Sequence, residues 1–176
     1  RPARHTPSPC VRGLQTALVV TGGSEVSIDK HARVKVKFHW DRSETSDLNS
    51  SCWIRVGQVW AGKKWGAMFW PRKGHEVIVG FLDGDPDCPI IVGSVYNSVN
   101  VPPTDLPGNY VLAGIKSAIF DVDDSTRGNG IFFHDAKDEP YTHVQSDSVD
   151  VQKSNLDSFA LSPRANVQIS GSLPLI

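Results

Sequence analysis

In residues 33–42, RVKVKFHWDR, the apolar Val34, Val36, Phe38 and Trp40 alternate strictly with Lys35, Lys37 and His39. A period of two places the first set on one face of a strand and the second on the other. That is the pattern of a strand with one buried and one wet side. Further short apolar runs at 52–59, 66–70, 76–82 and 89–96 are each bounded by Gly, Pro or Asp, with no helical stretch between them. Short strands at this spacing predict a small, closed or nearly closed antiparallel β-barrel over residues 11–96. Its predicted core holds Val34, Val36, Phe38, Trp40, Ile54, Val56, Val77, Val79, Phe81, Ile91 and Val95.

The remaining punctuation fits this plan. Residues 1–9 carry three prolines and read as a non-helical lead-in. Residues 14–20 (LQTALVV) read as the first strand, 21–24 as a turn around Gly22 and Gly23, and 29–31 as a tight connection. DRSETSDLNSS at 41–51 is a polar loop, WAGKKW at 60–65 a second loop, and FLDGDPDCP an Asp-Gly and Asp-Pro turn. After Asn97 the texture changes: SVNVPPTDLPGN has three prolines and no alternation, so an extended linker is expected. From Gly114 short β-like runs return at 115–122, 130–134, 141–144, 149–152 and 167–170. These strands lack a facing layer within one chain. Their open edges and the apolar Ile115, Ile119, Phe120, Ile131, Phe132, Val144, Val149 and Val151 predict association of copies after Asn97, with the barrel needing no partner.

The same segments carry a resemblance. RVKVKFHWDR, SSCWIRV, WAGKKWGAMFWPRKGHEVIVGFLDGDPDCPIIVGSVYN and NVPPTDLPGN resemble the spike proteins of type VI secretion systems, the VgrG or Rhs-associated Vgr family. These are similar to the central spike of contractile phage tails, and the match runs over roughly residues 13–116. It is specific because it is a long ordered series of motifs. The resemblance implies an all-β chain: an OB-fold barrel, a linker and a short β-helix-like segment, trimeric, that joins a large base to a needle. RPARHTPSP resembles the exit from that base, which is expected upstream; position 1 is Arg and Met68 is the only methionine. The expected division is a lead-in at 1–10, the OB barrel at 11–97, a Pro-rich linker at 98–114 and the needle start at 115–176. The tail after about Val151 is irregular. Ala32 stands where the family commonly has Gly, so a local difference in that turn is expected.

By the same resemblance the chain caps a tail tube as a homotrimer and punctures target membranes. The implied partners are a tail-tube (Hcp-like) protein and spike-tip or effector proteins, with transient target-membrane contact. Such a chain is made in the bacterial cytoplasm, assembled into the injection apparatus and secreted to the exterior or target cell.

Little in the residues points to chemistry. With 18 basic and 19 acidic residues the formal net charge is −1, so no whole-chain field attracts nucleic acid or anionic lipid. No apolar run reaches the length of a membrane span. Cys10, Cys52 and Cys88 are widely spaced, unlike a zinc site or a disulfide scaffold. His31, His39 and His75 lie near Asp29, Asp41 and Glu76 in sequence, yet no HxH or HxxxH sets two imidazoles on one face, and exposed or structural roles are expected. Asp83, Asp85 and Asp87 (DGDPD) lack the further ligands of an EF-hand and read as a turn. His134 and His143 fall on neighbouring strands of an expected hairpin, with ion binding the less favoured reading. There is no GxSxG, P-loop or GxGxxG. The expectation is a non-enzyme with no catalytic, cofactor-binding or metal-binding residues.

The alternative is an OB-type binding module for nucleic acid or oligosaccharide. Its Trp and Phe residues would stack on bases, flanked by Lys35, Lys37, Arg55, Lys63, Lys64, Arg72 and Lys73. Against it, Trp40 shares the core face of its strand, and Trp60, Trp65, Phe69 and Trp70 fall where the family packs its barrel. A free-standing module also has no use for the β-rich extension after Gly114. No nucleic acid is expected as a partner.

Overall fold

A computed structural model describes residues 6–122 and 126–148 of the chain. Its strands are β1 (Gln15–Val20), β2 (Arg33–Phe38), β3 (Ile54–Val56), β4 (Ala61–Gly62), β5 (Trp65–Gly66), β6 (Glu76–Phe81), β7 (Pro89–Val95), β8 (Leu112–Lys116), β9 (Gly130–His134) and β10 (Tyr141–Gln145). Five of them close a barrel in the order β1-β2-β3-β7-β6. Closure leaves no sheet edge for a foreign strand to join.

The alternation in β2 is realised as read. Val34, Val36 and Phe38 are buried, and Val36 lies opposite Val19 while Phe38 lies opposite Ala17. Ala17 also pairs with Val77 on β6, so a small side chain sits between Phe38 and Val77 across the seam. Ile54, Val79 and Ile91 complete the buried cluster, with Val56 and Phe81 packed against it. Burial of side chains of this size contributes about 1.5–3 kcal/mol each, enough to fix the register of a barrel this small. The register shift opposite Ile78 and Val79 leaves Val92 of β7 without a partner, a bulge that bends β7.

The structure departs from the sequence reading at several points. The closing ladder, β3 on β7, is parallel, with Arg55 opposite Ile90 and Val56 opposite Ile91; the other four barrel ladders are antiparallel. Trp40 is not core: β2 ends at Phe38, the Asp41 N–H closes a turn onto the Phe38 carbonyl, and Trp40 is 65% exposed. It stacks on the outer side of Phe38 with ring centroids 5.0 Å apart. Val95 is half-buried. The 52–59 run contributes only the three residues of β3, and 66–70 forms no strand beyond the Trp65–Gly66 end of a hairpin. Trp60, Trp65 and Phe69 are exposed rather than packed in the barrel, and Trp70 is half-buried.

The stretch between barrel and second sheet is not uniformly extended, since Asn109 N–H bonds to Asp105 O and Leu112 N–H to Asn109 O. β8 covers 112–116 where 115–122 was expected, while β9 and β10 fall at the expected places. The three form an antiparallel meander, β8-β9-β10. The runs at 149–152 and 167–170 lie outside the described residues.

Candidate functional site

The titratable residues singled out in the sequence do not converge. Asp29 accepts the N–H groups of His31 and Arg33, both at 2.9 Å, and the Arg33 Nε at 2.8 Å. The Arg33 hydrogen bond is the main reason its carboxyl is lowered to about 2. Asp29 is therefore the clasp of the 29–33 turn, in which Ala32 takes a left-handed φ of 58°. His31 remains exposed, contributing its backbone to that clasp. Asp41 caps its own loop through the Ser43 N–H and hydroxyl. His39 Nε2 lies 3.8 Å from Glu76 Oε1. Glu76 is lowered first by a hydrogen bond from Asn97 and then by one from Thr16, so it serves to anchor the barrel exit. His75 is lowered by burial and by the charge of Arg72, and its Nδ1 accepts the Arg72 N–H at 3.3 Å.

In DGDPD, Asp85 Oδ1 accepts the Asp87 N–H, and the Cys88 thiol lies 3.7 Å from Asp85 Oδ2. Desolvation and then the Asp85 charge push that exposed thiol up, which favours its protonated form. His134 stacks on Tyr141 at 4.6 Å, and His143 tilts against Phe132 at 6.1 Å. Among the described residues no group of three or more His, Cys, Asp or Glu is placed to hold a metal ion.

The basic residues of the nucleic-acid reading are partly committed. Lys35 Nζ donates to the Leu48 carbonyl, and Lys37 Nζ to the Ser43 and Thr45 carbonyls. The Ser51 hydroxyl accepts the Val36 N–H at 3.0 Å, which satisfies a ladder position β3 is too short to reach. The 41–51 loop is thus strapped to β2 through Lys35, Lys37 and the Val36 N–H. A surface lysine reads as free in the sequence, because nothing local betrays an acceptor carbonyl 6, 8 or 13 residues further on.

Two features with functional geometry emerge instead. The first is the brace between barrel and meander. Arg72 pairs with Glu25 through Nη1 at 2.6 Å, donates Nη2 to the Ala118 carbonyl at 2.8 Å, and lies 4.0 Å over the Phe120 ring. Glu25 in turn accepts the Asp121 N–H at 3.0 Å, which with the Arg72 bond lowers its carboxyl. One guanidinium so binds the outgoing chain to the β1–β2 connection. Sequence reasoning placed Arg72 only in a generic basic set.

The second is the asymmetry of the meander. On one face, the Phe132 ring covers Gly114 and Gly130, where an added Cβ would come within 2.9 Å and 2.5 Å of it. His134, Tyr141 and His143 share that face with Leu112, Lys116 and Gln145. The other face carries two cross-strand rows, Ile115–Ile131–Val144 and Ala113–Phe133–Thr142. Ile115 is 59% and Val144 63% exposed, with Ile131 and Phe133 near half. Apolar side chains in register on an uncovered sheet face are the mark of an interaction surface.

Residues 18–96 match the family described as the type VI secretion system/phage-baseplate injector OB domain. The chain is 59% identical over 114 residues to the type VI secretion system spike protein VgrG1a of Pseudomonas aeruginosa, covering 64% of this chain and 18% of that protein. It is 58% identical over 118 residues to VgrG1b of the same organism, covering 66% and 16%. The actin cross-linking toxin VgrG1 of Vibrio cholerae is 42% identical over 151 residues, 82% of this chain and 13% of the toxin. The chain therefore spans under a fifth of the length of these relatives. The closed five-stranded barrel over the matched segment and the identities that extend past it agree: the chain belongs to the VgrG spike-protein family, and residues 18–96 are its injector OB domain.

Proposed function

We propose that this chain is the neck of a contractile injection spike, a structural part that trimerises, caps a tail tube and transmits thrust toward a target membrane. In this reading residues 11–97 are the barrel, 98–114 the connection and 115–176 the start of the needle. The observation that carries it is the uncovered apolar face of Ile115, Ile131, Phe133 and Val144 on a meander braced to an injector OB domain. Covering half-exposed side chains of this kind contributes about 3–6 kcal/mol per chain, which favours association of copies over an exposed sheet. The brace through Arg72 suits a part that must carry load without hinging. Tail-tube and spike-tip or effector proteins are the proposed neighbours, and export with the apparatus the proposed fate. The chain itself performs no covalent chemistry; His75 accepts a backbone N–H, and His134 and His143 lie against aromatic rings. The test is Ile131→Asp, which places a charge in the middle of the apolar row. It should convert the trimer to folded monomer, and a variant that assembles as the wild type does would overturn the reading.

A further inference from the structure

Charge is segregated along the barrel. Residues 48–75 contain five Lys or Arg and no Asp or Glu, whereas residues 74–115 contain five Asp or Glu and no Lys or Arg. The basic stretch includes the β4–β5 hairpin, whose apolar residues stand away from the core: Val59 is 91% exposed, Met68 71%, and Trp60 and Trp65 meet edge to face at 5.1 Å. This arm is held stiff. Gln58 donates to the Phe69 carbonyl at 3.0 Å and accepts the Phe69 N–H at 2.9 Å, and Ala67 N–H bonds to Trp60 O. Gly62 allows the Trp65 ring to fold onto the backbone, where an added Cβ would lie within 2.2 Å of it. At the tip, Lys64 has a left-handed φ of 63°, a conformation that glycine adopts more readily and that here keeps a charge. A rigid arm of exposed aromatics and cations is pre-organised for a partner.

The acidic stretch presents its complement. Asp83, Asp85 and Asp87 stand on the turn around the 3-10 segment Leu82–Gly84, where Leu82 is exposed and Asp83 also takes a left-handed φ, 54°. The two features lie at opposite ends of the barrel. β3 and β7 run parallel, the hairpin follows the end of β3, and the acidic turn precedes the start of β7. A strand's length separates them within one chain, so the arm reaches this turn only on a neighbour. Head-to-tail contacts close a ring when the rotation between copies divides the full turn, as a threefold trimer requires.

We propose that the Trp60–Trp65 hairpin of one copy docks on the acidic Leu82–Asp87 turn of the next, setting the rotational register of the barrels. This rests on the trimer proposed above. The meander face supplies most of the association, and the hairpin contact is too small to hold barrels together alone. Complementary charge at such a contact selects the partner and its orientation.

The test uses the full chain, mixed from natural-abundance and 15N-labelled protein and treated with a carbodiimide, which joins amines to carboxylates in contact. Cross-linked peptides joining 63–64 to 83–87 with mixed isotopes are expected. Lys63→Glu with Lys64→Glu should weaken self-association about tenfold, and adding Asp83→Lys with Asp85→Lys to the same chain should restore it. Wild-type assembly in the Lys variant, together with no mixed-isotope link in the wild-type chain, overturns the contact while leaving the trimer in place. A wild-type chain that is monomeric at every concentration overturns both. If the Lys variant instead loses only binding to phosphatidylglycerol vesicles, with self-association unchanged, the arm is a lipid anchor and the proposal fails.

Discussion

Arg72 and Glu25, 47 residues apart in sequence, meet at 2.6 Å and together hold the Ala118–Asp121 backbone through one donated and one accepted hydrogen bond. This pair makes the barrel and the chain leaving it one mechanical body. Arg72→Ala should therefore release residues 117–121 while leaving the barrel folded. Amide exchange at Asp121 is expected to speed up by about an order of magnitude, with β6 protection unchanged. Arg72→Lys keeps the charge but loses the planar stack on Phe120 and one of the two donors, so it should fall between. Unaltered exchange at Asp121 in Arg72→Ala would show that the brace carries no load.

Phe38 and Trp40 lie two residues apart on one alternating pattern yet differ in burial. Phe38→Ala should cost about 3–5 kcal/mol in a denaturant titration, because it opens a cavity against Trp40 and Phe81. Trp40→Ala should cost about 1 kcal/mol, the worth of an outer stacking contact. Equal losses at the two positions would return Trp40 to the core.

That contrast shows where sequence reading reaches its limit. Val34, Val36 and Phe38 were legible because alternation reports directly on a half-buried strand. Trp40 continued the pattern in sequence, but the β1–β2 ladder ends at Ala17 opposite Phe38, and alternation beyond a ladder's last pair has no face to report. The parallel β3–β7 closure was illegible because pairing between distant strands leaves no local mark. The family resemblance places Trp60 and Trp65 in the barrel packing, yet they stand exposed on a hairpin outside it, and aromatics on a surface are common where a partner is expected. Of the residues expected to need cover, Ile115, Ile131 and Val144 do line the open face. Phe132 turns to the other side over Gly114 and Gly130, Phe120 lies under Arg72, and Phe133 takes the open face instead. The brace left no mark in the sequence, since an arginine does not announce which carbonyl it will meet.

Ala32 occupies a left-handed position, φ 58°, inside the clasp made by Asp29. Strain of about 1–2 kcal/mol for a residue with a Cβ is offset in part by the lower unfolded-state entropy of alanine. Ala32→Gly should therefore stabilise the barrel by about 0.5–1 kcal/mol, read as a raised denaturant midpoint at constant slope. A lowered midpoint would mean that the turn is not strained.

Asp29 titrates at about 2 against an ordinary 3.8, with the Arg33 hydrogen bond as the main cause. A carboxyl depressed in the folded state contributes its full stability above the unfolded value. That contribution is lost as pH falls through the window from 3.8 to about 2. Asp29→Asn should lower stability at neutral pH by a constant amount and flatten the acid limb within that window. An acid limb as steep as the wild type's would assign the transition to other carboxylates, Glu25 and Glu76 first, since both are also lowered by hydrogen bonds.

In the proposed spike, copies of this chain meet through the Ile115–Ile131–Val144 face. The direct measurement is mass in solution by light scattering, for the full chain beside a chain ending at Asn97. The account predicts a particle near three times 19.2 kDa for the full 176 residues and a folded monomer for the shorter chain. A full chain that scatters as a 19.2 kDa monomer would contradict it, and a trimeric shorter chain would move the interface into the barrel.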